Sequence, residues 1–257
     1  MDSSALRTNR VKDRFKIFDA HTHVGFARHS GRHCTARQLL DQMDRFGVDR
    51  SLVIPYPVVE DYRQTHDEIG HAAREYPDRF VGAACLYPFI PESQFRGEIR
   101  RCAEEFGFRA LKLQPKFQPL NPTSSRSDFF FEAALAHRLV VVVHTGDGVP
   151  FSLPSLFIAP ARKFPDLQLV LAHSGGSIFY QEAIVAASVC PNISIELSTL
   201  MPHHVAEVAA QVPSHRLMIG SDLPESLEVE LGKILNAEMS DAVKQDILWN
   251  TAARLFG

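Results

Sequence analysis

The sequence predicts a (β/α)8 barrel, and three observations carry the prediction. Eight short apolar runs recur along the chain, each the length of a buried strand. Between them lie segments of ten or more residues with helical signals, long enough to cross between parallel strands. At 257 residues and 45% hydrophobic content, with no composition break, the chain can bury one barrel-sized core. The expected organisation is a flexible polar lead-in over residues 1–14 and one barrel domain over 15–257.

The strands are expected at 17–20, 51–54, 80–86, 110–113, 139–143, 167–171, 193–197 and 217–219. After the first, Thr35-x-x-Gln38 has the capping-box form and opens a helix through Leu39, Leu40, Met43 and Phe46 that stops at Gly47. Thr65-x-x-Glu68 has the same form and opens the second helix, which Pro77 ends. Further helices are expected at 92–106, 127–137, 154–164, 177–189, 202–211 and 225–235. Closing helices at 241–245 and 249–256 bring Leu248, Trp249, Ala252 and Leu255 over the barrel. An open doubly wound sheet shares this alternation, but its Gly-x-Gly-x-x-Gly fingerprint is absent after the first strand. Gly146-Asp147-Gly148 and Gly175-Gly176 read as loop glycines.

Lys and Arg number 27 against 30 Asp and Glu, a balance of −3 that gives no reason to expect nucleic acid or an anionic membrane as partner. A small molecule is the expected partner. No apolar run approaches the roughly 18 residues of a membrane span, and the N-terminus lacks the apolar stretch of a secretory signal. Cys34, Cys85, Cys102 and Cys190 form no Cys-x-x-Cys, which points to reduced structural thiols and to the cytoplasm.

Ligand-type side chains collect where the strands end. The first strand runs into Asp19-Ala-His21-Thr-His23, and strict alternation puts Asp19, His21 and His23 on one face. Two same-face imidazoles suit a divalent metal. The fourth strand carries Lys112 and Gln114, the fifth ends at His144, the sixth at His173, the seventh holds Glu196 and Ser198, and the eighth ends at Asp222. An imidazole or carboxylate straight after four apolar residues costs desolvation unless it is paired or metallated. Barrel enzymes build their sites at this end of the strands.

These motifs resemble the amidohydrolase superfamily, and more closely its amidohydrolase 2 branch, which includes aminocarboxymuconate semialdehyde decarboxylase, resorcylate-type decarboxylases and pyrone dicarboxylate lactonases. The matching pieces run from Phe18-Asp-Ala-His-Thr-His23 through Ala110-Leu-Lys-Leu-Gln-Pro115, Val143-His-Thr-Gly146, Leu171-Ala-His-Ser-Gly-Gly176 and Ile219-Gly-Ser-Asp222 to the terminal Asn250-Thr-Ala-Ala-Arg-Leu-Phe-Gly257. The resemblance implies His21, His23, His144 and Asp222 as ligands of one divalent ion, with zinc expected ahead of manganese. It implies His173 as a base or electrophile, with Asp222 able to share proton transfer. Three imidazoles and a carboxylate leave room for a water that a zinc ion acidifies to a pKa of about 7, and an imidazole is suited to moving its proton.

Lys112 has three readings: the carboxylated bridge of two-metal relatives, a Schiff-base amine, or an ammonium that binds a substrate carboxylate. The third is preferred, with Gln114 beside it. TatD-type deoxyribonucleases share much of the pattern but usually place a glutamate at the fourth strand. Arg32, with Arg28 and His33, lies in the loop after the first strand and can meet an anionic substrate. His66 and His71 are expected at the surface of the second helix, His137 at a helix end. Glu196 is expected to hold a histidine or arginine near the site.

The expected activity is hydrolysis of an amide, lactone or ester in a small, carboxylate-bearing molecule. Decarboxylation of an aromatic or enoic acid is the alternative, and a non-catalytic metal- or metabolite-binding barrel is a third reading. Irregular stretches at 24–33, 115–126 and 146–153 are short, and Phe26, Phe117 and Phe151 from them can wall the mouth. Relatives are usually dimers, so a homodimer is the expected assembly.

Overall fold

The computed structural model describes residues 14–257. The expected lead-in therefore lies outside the described residues apart from Arg14, whose guanidinium pairs with Asp241. Eight parallel strands form the barrel wall: β1 (Phe18–Ala27), β3 (Arg50–Pro55), β4 (Phe80–Ala84), β5 (Ala110–Leu113), β6 (Val140–His144), β7 (Leu169–Ala172), β8 (Ile193–Glu196) and β9 (Leu217–Met218). Beyond β9 the chain returns to β1. Ala20 N donates to the Ile219 carbonyl at 3.0 Å, Ser221 N donates to the His21 carbonyl at 3.0 Å, and Thr22 bridges Asp222 in parallel.

The helices that cross between strands are α1 (Ala36–Phe46), α2 (Tyr62–Glu75), α3 (Glu92–Glu105), α4 (Asp128–Ala136), α5 (Ile158–Lys163), α6 (Gly176–Val189), α7 (Pro202–Gln211) and α8 (Leu227–Leu235), followed by α9 (Asp241–Gln245) and α10 (Thr251–Phe256). At α1 the capping box forms as its sequence predicts: Gln38 N donates to Thr35 Oγ1 at 3.1 Å, Thr35 N donates to Gln38 Oε1 at 2.9 Å, and Gly47 closes the helix at φ 75°. At α2 it does not. Asp61 caps the helix by accepting from Arg63 N and Gln64 N, and Thr65 lies one turn inside with its hydroxyl donating to the Asp61 carbonyl. Asp is as good an N-cap as Ser or Thr, and here it comes first.

Strand alternation sorts the core into two layers. Leu111, Val141, Val143, Leu169 and Leu171 face the helices, where Leu39, Met43, Phe95, Ile99 and Phe130 meet them. Ala110, Val140, Val142, Val170 and Ala172 face inward with Phe18, Leu52, Ile54 and Met218. The same parity turns Lys112, Gln114 and His144 inward at the carboxyl ends. Ala252 and Phe256 of α10, with Trp249 and Leu255, pack on the inner layer. Leu248 instead joins the outer layer.

Two further features differ from the sequence expectation. The stretch 24–33 is not irregular: β1 runs on to Ala27 and pairs antiparallel with β2 (Arg32–Cys34), making a hairpin. His66 is not a surface group. It is fully buried, its Nδ1 stands 2.8 Å from Glu98 Oε1, and its Nε2 accepts from Cys85 N at 3.0 Å. His71 is exposed, and His137 lies 3.7 Å from Glu104. All four cysteines are free and buried. Among the described residues no helix is long and apolar enough to cross a membrane.

Candidate metal centre

Strict alternation does not deliver the two histidines of β1 to the barrel interior; a bulge does. Phe18 and Asp19 pair with Arg50 and Ser51, whereas Thr22 and His23 pair with Val53 and Ile54, so β1 carries one extra residue between Asp19 and Thr22. Phe18 and Ala20 face inward before the bulge, and His21 and His23 face inward after it. Asp19 is thus out of phase with them. Its buried carboxylate accepts from the His21 amide at 3.2 Å, from Ser221 N at 2.8 Å and from Ser221 Oγ at 2.7 Å. It ties the bulge to the last strand's loop, and burial pushes its pKa up to about 7.

The partners of the two imidazoles set their tautomers. Carboxylate and carbonyl oxygens only accept, so His21 Nδ1–H donates to Glu196 Oε2 at 3.1 Å and His23 Nδ1–H donates to the Pro55 carbonyl at 3.1 Å. Both Nε2 atoms are then unprotonated and face each other at 3.2 Å, that of His21 also accepting from Lys112 Nζ at 2.8 Å. Asp222 Oδ1 lies 3.6 Å from His21 Nε2 and 3.5 Å from His23 Nε2. Two nitrogens each about 2.0–2.1 Å from a shared ion stand about 3.0–3.4 Å apart. Lys112 relieves the repulsion between these lone pairs at His21 only, and the spacing of the two nitrogens with Asp222 beside them fits a divalent ion. Burial and nearby Lys112 hold His21 well below the ordinary imidazole range, and a neutral ring is the ligand form.

His173 and His144 complete the inner rim. The His173 ring lies 4.9 Å from His21 and 4.7 Å from His144, and its Nε2 is 3.8 Å from Asp222 Oδ1. Burial depresses both imidazoles. His144 is outside the compact donor group formed by His21, His23 and Asp222. Its Nε2 is buried with no hydrogen bond among the described residues, 3.3 Å from Asp147 Oδ2. Five residues at the strand ends, Asp147, His173, Ser174, Thr199 and Asp222, hold left-handed backbone at φ between 53° and 66°. Such conformations cost about 1–3 kcal/mol each and gather where a site needs its side chains aimed.

The three expected substrate-binding residues are placed differently. Lys112 is fully buried and its Nζ donates to His21 Nε2 at 2.8 Å, so it points into the histidine cluster, and burial lowers its pKa to about 8. Gln114 is buried beside the mouth and its Oε1 has no hydrogen-bond partner among the described residues. Arg32 is exposed on β2, where its guanidinium pairs with Glu225, three residues beyond Asp222. Phe26 is half exposed, and Phe117 and Phe151 are partly buried, with His29 4.5 Å from Phe117. Two site residues escaped the sequence reading. Tyr56 stacks on His23 with centroids 5.3 Å apart, and Asp147 stands between His144 and Lys116. Tyr56 directly follows β3, which is the signal that could have found it; Asp147 sits between two loop glycines.

The profile of the amidohydrolase family matches residues 18–257. This chain belongs to the amidohydrolase family. Its fold is that of several solved structures. A 5-carboxyvanillate decarboxylase from Novosphingobium aromaticivorans, complexed with manganese and 4-hydroxy-3-methoxy-5-nitrobenzoic acid, superposes with a TM-score of 0.76 at 16% identity, covering 100% of this amidohydrolase and 99% of that chain. For 4-oxalomesaconate hydratase from Rhodopseudomonas palustris the TM-score is 0.69 at 17% identity, with 93% and 95% covered. A probable 2-pyrone-4,6-dicarboxylic acid hydrolase from Acinetobacter baumannii gives 0.68 at 14% identity, with 94% and 99% covered. A search of curated sequences finds no match to this amidohydrolase.

Proposed function

We propose that this amidohydrolase is a metal-dependent hydrolase that cleaves an amide, lactone or ester bond in a small carboxylate-bearing molecule. The observation that carries the reading is the pair of unprotonated Nε2 atoms of His21 and His23, 3.2 Å apart with Asp222 Oδ1 in reach of both. His21, His23 and Asp222 would hold one divalent ion, zinc or manganese, with His144 swinging from Asp147 to join them. When bound, such an ion acts as a Lewis acid toward water and toward an sp2 centre.

The chain's own groups supply the rest. His173 presents Nε2 toward Asp222, placed to take a proton from an attacking water and return it to the leaving atom. Asp222 shares that proton through its Oδ1. Gln114 Oε1 offers an unsatisfied acceptor at the mouth, and Arg32 offers a cation once Glu225 yields it. Decarboxylation is the competing reading, favoured by the manganese-bound carboxyvanillate decarboxylase whose fold covers the whole chain.

A panel of lactones, amides and aromatic acids, assayed in parallel for acid release and for CO2 release, tests the reaction type. Acid release from a lactone or amide without CO2 is the expected result. Release of CO2 from an aromatic acid without net hydrolysis would reverse the assignment.

A further inference from the structure

Glu196, the last residue of β8, is fully buried and accepts four hydrogen bonds from groups around the site. Its Oε2 takes one from His21 Nδ1–H at 3.1 Å, one from the His173 backbone N–H at 3.1 Å and one from Ser198 Oγ–H at 2.9 Å. Its Oε1 takes the Ser198 backbone N–H. Ser198 Oγ also stands 2.7 Å from His173 Nδ1. A hydroxyl has one proton to give. A carboxylate oxygen has none, so the Ser198 proton is committed to Glu196, and the remaining lone pair of Ser198 must accept from His173 Nδ1–H. The reverse orientation would set two lone pairs against each other at 2.9 Å in a dry interior.

We infer that Glu196 and Ser198 are positioning residues that fix the tautomers of two histidines with one carboxylate. Glu196 acts directly on His21 and, through the Ser198 hydroxyl, on His173. Both rings are held as Nδ1–H forms with Nε2 unprotonated and turned toward Asp222. The inference rests on the proposed function for the meaning of those Nε2 atoms, one a metal ligand and the other a proton carrier. The tautomers themselves stand without it.

Long-range 15N–1H correlation spectra of the metal-free, 15N-labelled protein report histidine tautomers, with the His173 signals identified by their loss in His173→Asn. His173 is expected as the Nδ1–H tautomer in the unmodified chain. In Ser198→Ala, which removes the hydroxyl that accepts from His173 and donates to Glu196, that single tautomer should give way to a mixture or to Nε2–H. Zinc titration against a chromophoric chelator supplies the second reading. Glu196→Gln should weaken zinc binding by about 10–100-fold, the usual effect of losing a carboxylate behind a ligand histidine. Ser198→Ala should change it by less than about threefold, because Ser198 touches no proposed ligand among His21, His23 and Asp222. Retention of a pure Nδ1–H tautomer in Ser198→Ala, or equal zinc losses in the two variants, would overturn the relay. Failure of the unmodified chain to bind zinc would refute the metal reading while leaving the tautomer result to decide the relay.

Discussion

His173 and Glu98 show how single buried groups are tuned by what touches them. With Nδ1 on Ser198 and Nε2 aimed at Asp222, His173 is placed for proton transfer and lies outside the compact metal-donor group of His21, His23 and Asp222. His173→Ala should lower kcat by about 10²–10⁴-fold while elemental analysis shows unchanged metal content. Loss of metal in that variant would make His173 a ligand instead. Glu98 lies on α3, buried against His66 of α2. Burial alone would raise its pKa, but hydrogen bonds from His66 and Arg101 outweigh burial and bring it to about 2. A carboxyl whose folded value lies below its unfolded value of about 4.3 adds stability that is present above the unfolded value and lost as pH falls toward 2. Glu98→Gln should therefore cost about 1–3 kcal/mol at pH 7. The gap between variant and unmodified chain should close as denaturation is followed from pH 5 to pH 2, and a pH-independent gap would contradict the assignment.

The elements place these groups through backbone detail that a period-two or capping pattern does not reveal. Gly220 follows β9 where the barrel closes, and a Cβ there would lie 2.6 Å from Glu196 Oε1 and 2.7 Å from His21 Cβ. Gly220→Ala should cost about 1–3 kcal/mol by overpacking and should also lower metal content, since it displaces both His21, a proposed ligand, and the Glu196 carboxylate behind it. The β1–β2 hairpin carries Arg32 over to Glu225 in an exposed pair, which is worth little to stability. Arg32→Ala should shift the melting temperature by less than about 2 °C yet raise KM for a carboxylate-bearing substrate, and an unchanged KM would remove Arg32 from the site. The strand ends were legible because each joined an apolar run to a polar ligand type: His21, His23, His173 and Asp222 converge as that pattern implies. The bulge was not legible. Alternation read from Asp19 places the histidines on one face by parity, while the inner face actually runs Phe18, Ala20, His21, His23, and only the pairing with β3 reveals the extra residue. His66 was misread for a related reason. Its helical position is polar by sequence, and its burial comes from Glu98 and the Cys85 amide, partners 32 and 19 residues away.

At the scale of the whole molecule, the barrel closes through the residues that make the site. Ala20, His21 and Thr22 of β1 join Ile219, Ser221 and Asp222 by backbone contacts, and Asp19 adds its carboxylate to Ser221. An ion held by His21, His23 and Asp222 would thus bridge the first and last strands, coupling occupancy of the site to closure of the sheet. Binding to the folded chain alone stabilises it by mass action, so saturating zinc at 100 times Kd should add about 2.7 kcal/mol, read as a higher melting temperature that a chelator reverses. The central claim is that the His21–His23 pair holds a divalent ion. Elemental analysis of the purified protein beside His21→Ala/His23→Ala tests it most directly. About one equivalent of zinc or manganese is expected in the unmodified chain and almost none in the double variant, with helical circular dichroism nearly intact in both. Equal metal content in the two proteins would contradict it.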